Sequence, residues 1–142
     1  SYCNMATTLH ELLSANDLRT TTPRLRIFEA LTASREPVTL ASLVHDCPDI
    51  DRVSIYRTLE LFTRLNIVTV VHVGWKKRYE LANAYQKHHH HHLVCDECGS
   101  ITEINSERLE DVIYTLTGAH NFTPSGHTFE ITGLCHACRK ET

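Results

Sequence analysis

Asp51-Arg-Val-Ser-Ile-Tyr-Arg-Thr-Leu-Glu-Leu-Phe-Thr-Arg-Leu65 runs through Asn66 into Ile67-Val-Thr-Val-Val-His-Val73. Asp51 is a helix N-cap, and Val53, Ile55, Tyr56, Leu59, Phe62 and Leu65 recur behind it at helical spacing. The β-branched run 67–73 reads as a strand, Gly74-Trp75 as a turn, and residues 77–82 as the returning strand. Upstream, Thr8 is expected to cap a first helix carrying Leu9, Leu12 and Leu13 on one face. Thr22-Pro23 starts a second helix, with Thr22 as N-cap and Pro23 first in the helix, followed by Leu25, Ile27, Phe28 and Leu31. Pro37 breaks that helix. Thr39 caps a short third helix with Leu40, Leu43 and Val44, which Cys47-Pro48 ends. Three helices, a fourth and a β-hairpin are the order of a winged helix, a helix-turn-helix variant with a β wing.

Charge divides along the chain. The net charge is −3, yet residues 1–84 hold 10 Lys and Arg against 9 Asp and Glu, whereas residues 85–142 hold 4 against 8. The slight cation excess makes the first part the better partner for nucleic acid. A recognition helix lays its N-terminal residues against base edges in the major groove. Ser54, Tyr56 and Arg57 occupy that position. Arg57 is placed to read guanine, Tyr56 to meet thymine methyls, and Arg19 and Arg24 to grip the backbone or minor groove.

The second part carries the other chemistry. Past a polar linker, short strands are expected at 92–95 and 100–104, a helix capped by Ser106 and closed by Gly118, and a strand at 127–134. Cys95-Asp-Glu-Cys98 and Cys135-His-Ala-Cys138 form two C-x-x-C pairs, the spacing of a closed, tetrahedral, structural Zn2+ site. No export signal precedes them, so they are read as reduced metal ligands of a cytoplasmic chain. No apolar stretch is long enough to cross a membrane.

Five histidines, His88 to His92, run into the first cysteine pair. Affinity tags sit at chain ends, and this run is internal and flush against a predicted strand. In an extended segment successive side chains point to opposite sides. His90 and His92 then face one way, and His89 and His91 the other, so one tract serves two metal sites. Glu80, Glu103, Glu110 and His127 are the further ligand candidates, since carboxylate with imidazole suits zinc, iron or manganese.

Thr22-Pro23-Arg24, Ser54-Ile-Tyr56-Arg57-Thr-Leu59, His88 to Gly99, Glu103 and the closing C-x-x-C together resemble the ferric uptake regulator family of metal-dependent transcription regulators. The resemblance extends from Leu18 to Arg139. It implies an α+β chain: a winged helix-turn-helix DNA-binding domain at 1–83, a hinge at 84–88, and a small α/β dimerisation and metal-binding domain with a four-cysteine zinc site at 89–142. It implies a homodimeric repressor that binds a double-stranded operator when metal is bound. Carried over by position, Cys95, Cys98, Cys135 and Cys138 hold structural zinc. Glu80, His90, His92 and Glu103 hold a regulatory hinge metal, and His89, His91, Glu110 and His127 hold a metal within the dimerisation domain. Arg19, Tyr56 and Arg57 match DNA-contacting positions.

The chain departs from the pattern where many members place a hinge histidine before the third helix: here it has Pro37, leaving Glu103, His72 or His45 to complete the site. Many iron sensors have an aspartate at the position of His91, and the unbroken run resembles the zinc uptake branch. Peroxide sensors usually have an aspartate where Glu80 stands. Zinc is therefore the expected regulatory metal, with iron(II) and manganese(II) as alternatives. Two other classes fit less well. A metal-storage or delivery protein has no use for a recognition helix, and a zinc hydrolase needs an open metal position and a general base, for which no H-E-x-x-H is present.

Overall fold

In the computed structural model, residues 2–86 and 89–140 are described, with side chains from Thr8 onward. His88, the first of the histidine run, and Lys87 at the end of the expected hinge lie outside the described residues. The chain divides into two compact units: residues 1–72 with 76–82, and residues 73–75 with 83–142. The fold is α+β, with a winged helix in the first unit and a small α/β sheet in the second.

The first unit opens with α1 (Tyr2–Ser14), α2 (Thr22–Ala33), α3 (Leu40–Asp46) and α4 (Arg52–Arg64). Helix α1 begins earlier than its sequence suggests, so Thr8 is an interior residue and not its cap. The N-cap of α2 is Thr21, one residue before the expected Thr22, and Pro23 lies in the first turn. Thr39 caps α3 as expected, its Oγ1 accepting from the Ser42 N–H at 3.1 Å. Asp51 does the same for α4: Oδ1 accepts from the Ser54 N–H at 2.9 Å and Oδ2 from the Ser54 hydroxyl at 2.6 Å. That hydroxyl, then that N–H, hold the Asp51 carboxyl below its ordinary value.

Strands β1 (Val68–Val73) and β2 (Lys76–Leu81) form a two-stranded sheet joined by two residues. The edge of β2 gains a partner that spacing did not signal: Val38 and Tyr79 exchange both backbone hydrogen bonds, at 2.8 and 2.7 Å. Pro37, read as a helix breaker and as standing where many family members have a hinge histidine, is buried beside this bridge. The core is aliphatic and aromatic: Leu9, Leu13, Ile27, Leu43, Ile55, Leu59, Phe62, Ile67 and Val71 are essentially inaccessible, and Phe62 meets Phe28 edge-to-face at 6.4 Å. Val53 and Tyr56 were expected among the apolar positions of α4, but they are 56% and 46% exposed. They sit on the outer face of a helix whose inner stripe is complete without them.

The second unit begins with a single 3-10 turn at Asn83–Tyr85. Strands β3 (His91–Cys95), β4 (Ile101–Ile104) and β5 (Glu130–Gly133) form a sheet in the order β4-β3-β5. β4 is antiparallel to β3, with His92 opposite Glu103, and β5 is parallel to it, with His92 opposite Glu130. The connection from β4 to β5 runs through α5 (Glu107–Ala119), capped by Ser106 as expected. Gly118 does not close α5: it is helical, and the C-cap is His120. A short α6 (His136–Lys140), unforeseen in the sequence, follows β5.

Each buried core side chain of α4 contributes about 1.5–3 kcal/mol by leaving water. Phe62→Ala additionally leaves a cavity against Phe28. It is expected to lower the unfolding free energy of the first unit by about 3–5 kcal/mol, read as a shift of the urea midpoint at constant slope.

Candidate functional site

The cysteine cluster is built by one tight turn and one strand end. After Cys95 the chain reverses, with the Gly99 N–H donating to the Cys95 carbonyl at 3.0 Å and the Cys95 N–H to the Ser100 carbonyl at 2.9 Å. Gly99 sits at φ +71°, a region that side-chain-bearing residues rarely adopt. The Asp96 N–H donates to the Gly133 carbonyl at 2.8 Å and ties this turn to the end of β5. Cys135 therefore arrives beside Cys95, its N–H donating to the Cys95 Sγ at 3.3 Å, and α6 brings Cys138 round. All four Sγ atoms lie within 4.8 Å of one another.

Four thiolates at about 2.3 Å from a zinc ion stand about 3.8 Å apart in a tetrahedron, and Cys98 Sγ and Cys135 Sγ are 3.8 Å apart. That is nearly twice a disulfide bond of about 2.0 Å. The backbone N–H groups of Cys135 and Cys98 pull the Cys95 thiol down to about 6. Hydrogen bonding to Cys135, with burial, pushes Cys138 up to about 12. Four sulfurs this close cannot all ionise without a cation between them, so the donor set fits zinc. The Cys98 thiol also donates to the Ser100 hydroxyl at 3.2 Å, a neighbour that the C-x-x-C spacing does not signal.

The histidine run enters β3 extended, and its side chains alternate. His89 and His91 lie together, ring centroids 4.7 Å apart, with His127 4.6 Å from His89. His127 comes from the approach to β5, and Glu110 from the first turn of α5. His89 Nε2 is 3.2 Å from His91 Nε2 and 3.0 Å from His127 Nε2. Glu110 Oε1 lies 2.7 Å from His91 Nε2 and 3.2 Å from His89 Nε2, and Oε2 lies 3.1 Å from His127 Nε2. Four donors at about 2.0–2.1 Å from a metal stand about 3.3 Å apart in a tetrahedron. Three imidazole nitrogens and one carboxylate at these separations fit a divalent cation of the zinc, iron or manganese type. Burial holds the His89 imidazole below its ordinary value, the neutral form a ligand needs. Burial also raises Glu110, but hydrogen bonds from His91 and His127 outweigh it and keep the carboxyl low. Phe129 meets the His91 ring edge-to-face at 5.9 Å, a wall that sequence reasoning missed.

On the other side of the strand the His90 and His92 rings meet at 5.0 Å. Glu103 faces His92 across the antiparallel ladder and reaches within 3.9 Å of His90 Nε2. Asn83, at the end of the expected DNA-binding domain, clamps the run: its Nδ2 donates to the His90 carbonyl at 3.1 Å, and its Oδ1 accepts from the His90 N–H at 3.3 Å. Glu80 is half-buried on β2 of the first unit, where His72 and His45 are exposed on β1 and α3.

The expected DNA-contacting residues are distributed as follows. Arg57 is exposed on α4 beside Tyr56, whose phenol is pushed up by its hydrogen bond to Glu60 one turn on. Ser54 is half-buried and engaged in the Asp51 cap. Arg19 is exposed after α1, and the Arg24 guanidinium donates to the Arg19 carbonyl at 2.6 Å, pinning that loop.

The sequence profile of the Ferric uptake regulator family matches residues 15–132. The Ferric uptake regulation protein of Bacillus subtilis (strain 168) is 41% identical over 97 residues, 67% of this chain and 65% of that protein. The matched stretch thus spans less than two thirds of that relative's length, as it does for two further curated relatives. The crystal structure of the Vibrio cholerae ferric uptake regulator aligns with a TM-score of 0.65 at 28% identity, covering 89% of this chain and 98% of the other. The Helicobacter pylori regulator has the same fold, with a TM-score of 0.76 at 21% identity over 98% of this chain and 94% of the other.

Cys135→Ser is expected to reduce bound zinc by one equivalent by elemental analysis, leaving the helical signal of the first unit intact. Retention of full zinc content excludes the four-sulfur site. In the metal-free chain the unfolded state takes a proton that folded His89 resists. The second unit should therefore lose stability as the pH falls from the ordinary histidine value of 6.5. A further loss is expected below the ordinary 4.5 of Glu110. Denaturation followed against pH should show both, and His89→Ala should flatten the upper window.

Proposed function

Because the chain belongs to the ferric uptake regulator family, we propose that it is a metal-responsive, DNA-binding transcriptional repressor in metal-ion homeostasis, acting in the cytoplasm as a homodimer. The observation that carries this reading is the division of the histidine run into two faces. His89 and His91 join Glu110 and His127, while His90 and His92 turn towards Glu103. One face is then committed to the unit's own interior, and the other is left to answer a variable metal concentration.

The proposed assignments follow. The four cysteines hold a structural Zn2+. Glu80, His90, His92 and Glu103 hold the regulatory metal, joining a DNA-binding domain of residues 1–83 to a dimerisation domain of 89–142 across the hinge at 84–88. His89, His91, Glu110 and His127 hold a further metal within the dimerisation domain. Metal at the hinge stabilises the arrangement for which it has higher affinity. In a dimer this sets the separation of the two α4 helices to match operator half-sites. Ser54, Tyr56 and Arg57 face the bases from the N-terminal part of α4, and Arg19 and Arg24 contact the backbone or minor groove. Dimerisation is supported by the apolar surface of the second unit, where Val112, Tyr114, Leu116, Phe122 and Ile131 are all about half exposed or more. Zinc is preferred as the sensed metal because the run is unbroken histidine; iron(II) and manganese(II) are the alternatives.

The test is duplex binding by the purified chain, structural zinc retained, titrated anaerobically with buffered Zn2+, Fe2+ and Mn2+. Zinc is expected to switch binding at the lowest free concentration. Glu80→Ala is expected to abolish the metal dependence while keeping the structural zinc; a variant that still responds to metal overturns the hinge. Arg57→Ala is expected to cost about 1–3 kcal/mol of specific binding, with metal content unchanged.

A further inference from the structure

Sheet pairing holds only part of the histidine run. His91 opens β3, opposite Ile104 of β4, and the ladder to β5 begins one residue later, where His92 faces Glu130. His89 lies upstream of both ladders. Even so, its Nε2 stands 3.2 Å from His91 Nε2 and 3.0 Å from His127 Nε2, in the cluster that Glu110 completes. An imidazole on an unheld segment loses backbone and rotamer freedom when it is brought to a metal. Whatever fixes its backbone beforehand therefore raises the affinity of the site.

Asn83 supplies that hold. Its side-chain amide bonds both backbone groups of His90, donating to the carbonyl at 3.1 Å and accepting from the N–H at 3.3 Å. Two residues paired in an antiparallel ladder exchange the same two bonds. The amide thus carries the pairing of β3 one residue upstream of its start, to the residue between His89 and His91. Asparagine suits this task because one planar group presents a donor and an acceptor together, whereas aspartate, of the same shape, has acceptors only when ionised. Asn83 is itself fixed as the first residue of the 3-10 turn Asn83–Tyr85, with the Gln86 N–H donating to its carbonyl at 3.2 Å. Clamp and cluster lie in the same compact unit. We infer that Asn83 is a positioning residue for a metal held by His89, His91, Glu110 and His127: by fixing the His90 backbone it presets the imidazoles on either side. The inference rests on the reading of that cluster as a metal site and adds to it a residue outside the ligand set.

Co2+ is the probe, because it occupies nitrogen and oxygen sites of this kind and absorbs in the visible. The full chain, structural zinc retained, is titrated with Co2+ against a competing chelator. The absorption that His127→Ala removes is assigned to this cluster. Asn83→Ala is expected to weaken Co2+ binding in that component by roughly 10- to 100-fold, the usual effect of losing a group that orients ligands. Its absorption bands are expected to shift as well, because the donors no longer converge in one geometry. Asn83→Asp is expected to fall with Asn83→Ala, since it keeps the shape of the side chain and loses the donor. Helicity and cysteine-bound zinc should match the parent in both variants. Parent-like affinity and spectrum in either variant overturns the inference and leaves the metal assignment of the cluster standing. Loss of zinc or helicity in both overturns it too, since the clamp is then a folding element. A parent with no absorption that depends on His127 overturns the metal assignment and the inference with it.

Discussion

Four sulfurs within 4.8 Å of one another, and a second point where three imidazole nitrogens meet a carboxylate, are unfavourable arrangements without a cation. The second unit depends on them all the same. Among its described residues only His91, His92, Val94 and Cys95 are buried, and no residue of α5 is. Four buried side chains offset only part of the ordering of its described residues, whereas a structural zinc site of this kind contributes on the order of 10 kcal/mol. A metal ion at these clusters would supply what hydrophobic burial supplies in the first unit.

Strand β3 is where the two faces of the histidine run separate. It lies between β4 and β5, so its backbone is bonded on both edges and its register is fixed. A shift of one residue would exchange the two faces of the histidine run and break both clusters. The Asn83 clamp on His90 reinforces this at the point where the run enters the sheet. The same strand ends in Cys95, so the cysteine cluster and the histidine sites share one rigid element.

The first unit works by a different balance. Its aliphatic core orients α4, burying Ile55, Thr58, Leu59, Leu61 and Phe62 and leaving Val53, Tyr56 and Arg57 outward. Val53 and Tyr56 stand exposed at the N-terminal end of that helix, outside the packed stripe. Here the apolar pattern slightly misread the helix: period alone assigns Val53 and Tyr56 to the core, because an outward binding face can be as apolar as an inward packing face.

What the sequence determined by itself is local. Caps at Thr39, Asp51 and Ser106, the β-branched run before Gly74-Trp75, the two C-x-x-C pairs and the odd-even division of the histidines all follow from geometry within a few residues. The boundary errors, Thr21 for Thr22 and His120 for Gly118, are of the size that competing caps produce. The convergence of Glu110 and His127 on His89 and His91 is different in kind. Only the resemblance suggested it, and no spacing rule contains it, because it depends on how the crossover through α5 returns the chain to the edge of β3. The bridge from Val38 to Tyr79, the Asn83 clamp, the Phe129 wall and α6 beneath Cys138 are likewise tertiary. Each is a contact between segments whose separation in the chain carries no periodic signal, and packing alone selects them.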